Sequence, residues 1–464
     1  MGAILHFGTD GWRARLDGDF DTENVIRVAA AAGEYWAERE PGAEVLVGYD
    51  TRPESEGFAL AAAEAISALG LVAVLSDRPL PTPALAWATA QRGPAAGALM
   101  VTGSHHPMGY LGIKLRTRDG GCGLPEFYDE VEDLIEPEAP EGRGPVERRD
   151  LLTSYLENLG CLLDRPVLAA ANLSVVVDPM YGAGRGCLTE VLEPLGVRVR
   201  EIHAGEEPGW EDMCPEPIEP WVDECEAAVV QAGASAGLVI DGDGDRLGAV
   251  DERGRYVSAH QIIALILGHL VQNRGLGGRV VLGLSASAMP RRVARALGCR
   301  VATKPIGFKH IYREMLKGDV LLGGEGAGGI GIPSHLVERD GLLCCLMLCE
   351  LMVTSGKPLG VLVDELEDRF GPLHYARRDV RMEPEVTEML RTILPGLNPP
   401  TVAGKVPTAV SHMDGLRLEF EDGSWLLIRP SGTEPLVRIY AEAQSVEERD
   451  ELVEAGMEMA RGSL

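Results

Sequence analysis

Three times along the chain an apolar, strand-like run leads through a helical pattern ending in glycine to a second strand-like run. The first copy passes from Val45-Leu46-Val47-Gly48-Tyr49-Asp50 through Ala68-Leu69-Gly70 to 71–75. The second passes from 175–178 through Pro194-Leu195-Gly196 to 197–199, and the third from 280–283 through Ala296-Leu297-Gly298 to 300–302. Glycine suits the left-handed position after a helix, and a strand-helix-strand unit of this kind sets its two strands parallel. A repeat on this scale constrains the fold more than any single motif does. After each unit a further apolar strand breaks into a glycine-rich polar loop: Val101 into the loop around Ser104, Ile240 into Asp241-Gly242-Asp243-Gly244-Asp245-Arg246, and Leu322 into Gly323-Gly324-Glu325-Gly326. Such loops lie at the strand ends where α/β sheets bind ligands, so three domains facing one cleft would bring them together.

Beyond Phe370-Gly371-Pro372 the pattern changes. Residues 416–420 and 425–428 flank Asp422-Gly423, a hairpin signal, and Ser445 with Glu448 forms a capping box that opens a last helix. The expected architecture is three topologically similar α/β domains plus a C-terminal α+β domain around a central cleft. A Pro/Glu-rich stretch at 136–145 and turns at Glu252-Arg253-Gly254 and Phe370-Gly371-Pro372 place the domains at 1–148, 149–254, 255–370 and 371–464.

A formal charge of -28 over 464 residues argues against nucleic acid and anionic membranes as partners. An acidic chain that binds phosphate must supply local cations. The apolar run at 342–353 is interrupted by Glu350 and is too short to span a bilayer, so it reads as a core helix. The first residues lack the basic-then-apolar pattern of a signal peptide. Nine cysteines without a Cys-x-x-Cys pair fit buried thiols in a cytoplasmic protein.

Thr102-Gly103-Ser104-His105-His106-Pro107 presents Ser104 in a tight turn at a strand end, although a polar loop capping a following helix would carry the same residues. Asp241, Asp243 and Asp245 alternate with glycine and can converge on a hard divalent cation, with a solvated acidic turn as the alternative. A helix-loop-helix calcium site is excluded because Arg246 stands at the sixth position, which needs glycine, and because a strand precedes the run. Arg429-Pro430-Ser431-Gly432-Thr433-Glu434-Pro435 joins a cation, two hydroxyls and a glycine-freed backbone, an inventory that suits phosphate, with Arg438 as a second cation.

Together with the opening motif Phe7-Gly8-Thr9-Asp10-Gly11-Trp12-Arg13, these loops resemble, in order and over essentially the whole length, the α-D-phosphohexomutase family of phosphoglucomutases and phosphomannomutases. The resemblance implies that Ser104 is carried as phosphoserine and that its phosphate, with Asp241, Asp243 and Asp245, ligates magnesium. It further implies phosphoryl exchange with a hexose monophosphate through a hexose 1,6-bisphosphate, interconverting 1- and 6-phosphates. A phosphoserine needs only charge neutralisation and alignment to donate its phosphoryl group, which magnesium and Arg246 would supply. Lys114 and Arg13 match family positions proposed for acid/base work; a lysine serves as a base only if its neighbours lower its pKa, and simple phosphate-steadying charge is the alternative. Glu325 can accept hydrogen bonds from a vicinal pair of sugar hydroxyls. Lys309, in Gly307-Phe308-Lys309-His310-Ile311, and His335 resemble substrate contacts of the glucose-phosphate branch, although His335 also reads as a structural histidine. Pro81-Thr82-Pro83 reads as a rigid support.

The chain departs from the family at His106 and Leu111, where asparagine is usual, and at Ala327, where the sugar loop commonly carries a serine. The last change removes a sugar contact and leaves the reaction type intact. The expected activity is therefore a magnesium-dependent isomerase acting on glucose or mannose phosphates, as a monomer or homodimer. Phosphoglucosamine mutase, a sugar-phosphate hydrolase and a non-catalytic phosphosugar-binding protein are the alternatives.

Overall fold

The computed structural model describes residues 5–91, 93, 95–205, 213–432 and 435–462. Each repeat folds as a trio of parallel strands with the first strand in the middle. Glu44–Tyr49 lies between Val72–Ser76 and Ala95–Val101. Ser174–Asp178 lies between Arg198–Glu201 and Ala236–Ile240, and Arg279–Gly283 between Val301–Lys304 and Val320–Gly324. Ala95–Val101 and Ala236–Ile240 are buried along their whole length, as strands covered on both faces must be. Gly70, Gly196 and Gly298 adopt φ of 83°, 84° and 77°, the left-handed stops the repeat requires.

The repeat pattern does not reveal a fourth strand in each sheet, antiparallel to the third: Tyr110–Thr117, Leu247–Asp251 and Ile330–Gly331. Each follows directly on a glycine-rich loop, so every loop is a hairpin-like return at the same corner of its sheet. A strand and no helix follows Ser104, so its hydroxyl is not a helix cap. The first sheet adds Trp12–Arg15 at one edge and Val146–Arg149 at the other, reaching one residue past the expected boundary.

The three sheets share one apolar core that includes Leu46, Leu85, Tyr155, Ile263, Leu282 and Leu346. Helix Gly341–Ser355 runs through it, opened by Asp340, whose carboxylate accepts from Leu343 N at 2.8 Å. No single helix among the described residues is long and apolar enough to cross a membrane. The fourth domain is an antiparallel sheet whose middle hairpin closes at Asp422-Gly423, with Glu419 opposite Trp425 and Gly423 at φ 83°. Helix Val446–Ala460 carries half of the expected capping box: Ser445 Oγ accepts from Glu448 N at 3.2 Å, while the Glu448 carboxylate turns to Lys405, 3.7 Å away. Leu284 of the third domain packs with Trp425, Leu427 and Tyr440 of the fourth, and Glu442 Oε1 accepts from Ala288 N across the same interface at 2.9 Å.

Helix Gly341–Ser355 carries the charge of Glu350 inside the shared core. Glu350 accepts from His269 Nε2 at 3.1 Å, Arg274 at 2.9 and 2.6 Å, and Asp164 N at 3.1 Å. Burial alone would raise its pKa, but these donors outweigh burial and hold it at about 2. A depressed carboxylate contributes stability above its unfolded pKa and loses it as pH falls through the folded value. The interaction is worth about 3 kcal/mol at neutral pH, lost from about pH 4 down to about pH 2. Glu350→Gln is expected to lower neutral-pH stability by a comparable amount and to flatten the acid limb, measured by urea unfolding at several pH values.

Candidate active site

The acidic loop is the hub on which the other loops rest. It joins Ala236–Ile240 to Leu247–Asp251 and reverses at Gly244, with φ 72°. Its backbone is held from all three α/β domains: Thr82 N donates to Asp243 O at 2.9 Å, Ala183 N to Gly242 O at 2.8 Å, and Gly341 N to Gly244 O at 3.1 Å. Leu247 N donates to Gly328 O at 3.2 Å, and Arg246 forms a bridge with Gly329, fixing the Glu325 loop against the loop's exit. The Thr82 hydroxyl also donates to Asp243 Oδ2, so the Pro81-Thr82-Pro83 support reaches the carboxylate itself.

Ser104 stands in the left-handed region at φ 49° and is fully buried. Its Oγ lies 3.3 Å from Asp241 Oδ2 and 3.3 Å from His105 Nδ1. Two residues without a role in the sequence reading hold this turn. The Arg52 guanidinium donates to the carbonyls of Ser104 at 2.9 Å, Pro107 at 2.8 Å and Tyr110 at 3.1 Å, and to that of His106. Asp50 pairs with Arg52 Nε at 3.4 Å and accepts from Gly103 N at 3.0 Å. The available signal was Asp50-x-Arg52 at the end of the first repeat's leading strand, where functional loops emerge.

The serine and acidic loops meet backbone to backbone. A Cβ on Gly242 would lie 2.4 Å from Ser104 O. Gly242→Ala is therefore expected to push the loops apart and cut activity roughly 10²-fold, the scale of a misplacement near 1 Å, with far-UV circular dichroism unchanged; near-normal turnover would show that the contact does not set the geometry.

Asp241, Asp243 and Asp245 are fully buried, and one carboxylate oxygen from each lies within 4.8 Å of the others. Lys114, also buried, places Nζ 2.7 Å from Asp243 Oδ2, 2.7 Å from Asp245 Oδ2 and 3.0 Å from Asp10 Oδ2. Arg339 donates to Asp245 at 2.8 Å and to Asp10, and stands 3.8 Å from Glu325. Behind it Arg116 lies 3.4 Å from both Asp10 and Glu338. Asp10, Arg339, Arg116 and Glu338 were not expected as parts of the site.

Burial and the repulsion of Asp243 and Asp245 push Asp241 well above the usual carboxylate range. Burial opposes the ionisation of Asp243 as well, but Lys114 outweighs it and holds that carboxyl low. Asp243 Oδ1 and Asp245 Oδ1 are buried without hydrogen-bond partners. Crowded carboxylate oxygens with free lone pairs are the donor set of a hard divalent cation, so the residues fit magnesium. Burial would lower the Lys114 pKa, but Asp10, Asp243 and Asp245 outweigh it and raise it. Asp243 and Asp245 are also part of the donor set for the cation, whose charge would act against this rise. Burial, with the charges of Arg246, His106, Arg13 and Lys114, drives the His105 pKa well down, leaving a neutral ring beside Ser104 Oγ.

Arg13 and Arg246 border this group. Arg13 Nε and one terminal nitrogen, and Arg246 Nε, are buried without hydrogen-bond partners. Unsatisfied guanidinium donors call for an anion.

Glu325 Oε1 accepts from Gly307 N at 3.1 Å, and burial raises its pKa. Ala327 shares its loop and offers no hydroxyl. Lys309 lies in the first turn of helix Phe308–Met315 and is partly exposed. His335 Nε2 pairs with Asp340 Oδ2 at 3.0 Å, beside the Tyr155 hydroxyl at 2.9 Å from the same carboxylate. The pair braces the start of the core helix.

In the fourth domain Arg429 Nε pairs with Asp414 at 2.9 Å, and Arg438 stands opposite Arg429 on the adjacent strand, 3.4 Å from Asp379. Ser431 is buried, its N donating to Leu436 O at 2.8 Å and its carbonyl accepting from Arg391. Gly432 is exposed, and Thr433 lies outside the described residues.

Four family models, for the α/β/α domains I, II and III and the C-terminal domain of phosphoglucomutase/phosphomannomutase, match residues 5–141, 153–254, 258–370 and 395–459. The chain belongs to the phosphoglucomutase/phosphomannomutase family. Its members are phosphohexomutases, which makes the chain an isomerase of the phosphotransferase type. It is 30% identical to the phosphoglucomutase/phosphomannomutase of Thermococcus kodakarensis, covering 99% of each chain. It is 33% identical to a phosphoglucosamine mutase of Frankia alni, covering 95% of this chain and 94% of the relative. A crystal structure from Thermus thermophilus, assigned as a phosphomannomutase, superposes with a TM-score of 0.89 at 34% identity over 100% of both chains. The phosphohexomutase fold thus extends over the whole chain.

Proposed function

We propose that the chain interconverts the 1- and 6-phosphates of a hexose, glucose or mannose, through phosphorylated Ser104 and a hexose 1,6-bisphosphate. The observation that carries this reading is Ser104 Oγ at 3.3 Å from Asp241, inside a group of three buried carboxylates bordered by Arg13 and Arg246, whose Nε atoms have no hydrogen-bond partner and whose nearest carboxylates, Asp10 and Asp245, stand 3.9 and 3.7 Å away. In the first half-reaction the bond from Ser104 Oγ to phosphorus breaks and a new bond forms from phosphorus to the free sugar hydroxyl, whose proton ends on the released Ser104 Oγ; the second half-reaction runs the same exchange in the opposite sense. After the bisphosphate turns over in the site, the second half-reaction returns its other phosphoryl group to Ser104 Oγ. Arg13 and Arg246 supply donors to phosphoryl oxygens, and Lys114, paired with Asp243 and Asp245, serves with Arg13 in acid/base work or as a steadying charge.

Asp241, Asp243 and Asp245 would hold magnesium, which supplies neutralisation of the transferring phosphoryl charge when bound. Glu325 takes the sugar hydroxyls, with Lys309 as a further substrate contact. Arg429, Ser431, Gly432, Thr433 and Arg438 take the phosphate that is not reacting. The partners in this reading are small hexose phosphates, with the protein a cytoplasmic monomer or homodimer; nine free cysteines support a reducing compartment.

Glucosamine phosphate is the second reading, favoured by relatives such as the 33% identical phosphoglucosamine mutase of Frankia alni; Ala327, which lacks the hydroxyl that the family commonly presents to the sugar, selects no sugar by itself. The test is conversion of glucose, mannose and glucosamine 1-phosphates to 6-phosphates, with magnesium and trace glucose 1,6-bisphosphate. Fastest conversion of glucose or mannose phosphate supports the first reading, and fastest conversion of glucosamine phosphate the second. Release of inorganic phosphate without interconversion contradicts both.

A further inference from the structure

Asp414 stands between Arg429 of the phosphate loop and the Ile306-Gly307 turn that opens helix Phe308–Met315. Gly415, next to it, has φ 96°, and a Cβ there would lie 2.3 Å from Ile428 O, so this turn is pressed onto strand Trp425–Pro430. The contact fixes Asp414 beside Arg429, and both carboxylate oxygens lie 2.9 Å from Arg429 Nε. One of them, Oδ2, also accepts from Ile306 N at 2.9 Å, across the interface between the fourth and third domains. The next amide along the chain, Gly307 N, donates to Glu325 Oε1 at 3.1 Å. Gly307 adopts φ 120°, which a side chain would strain, and that backbone lets two successive amides serve different carboxylates.

We infer that Asp414 is a positioning residue that couples Arg429 in the phosphate loop to Glu325 in the sugar loop through the Ile306-Gly307 turn. The inference rests on the function proposed above. Seating the fourth domain makes the Asp414 to Ile306 bond, which fixes the turn whose next amide orients Glu325. Opening the interface breaks that bond and leaves the turn that orients Glu325 without its brace from the fourth domain. A charged acceptor shared by two domains in this way ties selection of the sugar to capture of its phosphate, a job that neither Arg429 nor Glu325 does alone.

The test uses the full-length protein and a cycle of Asp414→Ala, Glu325→Gln and the double variant, with Asp414→Asn as the conservative change. KM and kcat are measured for glucose 1-phosphate, alongside the glucose 1,6-bisphosphate released per turnover. Asp414→Ala is expected to raise KM about tenfold or more, the scale of a lost charge-assisted hydrogen bond, with a smaller fall in kcat and more bisphosphate released. Asp414→Asn keeps an acceptor for Ile306 N and should show a smaller KM effect. The double variant should lose less than the product of the two single losses, because coupled residues are not additive. Multiplying losses would overturn the coupling, and an unchanged KM with only a lowered melting temperature would reduce Asp414 to a structural brace. Wild-type protein without mutase turnover would defeat the proposed function instead; the same cycle is then read on glucose 6-phosphate binding by calorimetry, where additivity or absent binding overturns the inference.

Discussion

Ser104→Ala is expected to abolish interconversion of hexose 1- and 6-phosphates, by a factor on the order of 10⁴ or more, the scale seen when a covalent nucleophile is removed. The substitution takes away one oxygen and little else. Alanine bears the same φ of 49° as serine at similar cost, and the turn is held by Arg52 through backbone carbonyls, which the change does not touch. Binding of hexose 6-phosphate should persist, since Glu325 and the phosphate loop lie on other domains. Steady-state turnover, paired with calorimetric binding, checks both halves. A variant that retains most of its turnover would show that the phosphoryl group passes through some other atom.

Lys114→Met is expected to be the most destabilising single change at the site. Its ammonium lies within 3.0 Å of three carboxylates, those of Asp243, Asp245 and Asp10, in a fully buried setting. Asp245 and Asp10 keep Arg339 when the lysine is gone, and Asp243 keeps the Thr82 hydroxyl and the more distant charges of Arg13 and Arg52. Removing one partner of a buried ion pair costs about 3–5 kcal/mol, so urea unfolding in EDTA should show a loss of that size. Magnesium should return part of it, because a cation bound only by the folded state stabilises in proportion to its saturation, about 2.7 kcal/mol at one hundred times Kd. Activity should fall at least 10²-fold in either condition, as the aspartates lose their fixed charge partner. A variant as stable as wild type in EDTA would contradict the role given to Lys114.

The threefold repeat was legible because it is local: glycine after each helix, short aliphatic strands and a polar loop at the same place each time. Ser104, the three aspartates and Arg246 announced themselves because backbone chemistry marks their loops. The antiparallel fourth strands were not legible. Ile330–Gly331 is only two residues long, and Tyr110–Thr117 carries Lys114 and Arg116 buried against partners far away in the chain. The ion-pair network around Asp10 was invisible for the same reason. Asp10 and Arg339 are separated by 329 positions, and a charge read from sequence alone is most simply a solvated one. His335 shows the same limit: its pairing with Asp340, five residues later, is not written in the motif that resembles a sugar contact.

The central claim is that the transferred phosphoryl group resides on Ser104. It is tested most directly by labelling the protein with isotopic glucose 1,6-bisphosphate, removing free sugar, and mixing it with unlabelled glucose 1-phosphate in a single turnover. The account predicts label on Ser104 before mixing, located by peptide mass spectrometry, and its transfer to the sugar 6-position afterwards. Label released as inorganic phosphate, or left on the protein while glucose 1-phosphate is converted, would contradict it.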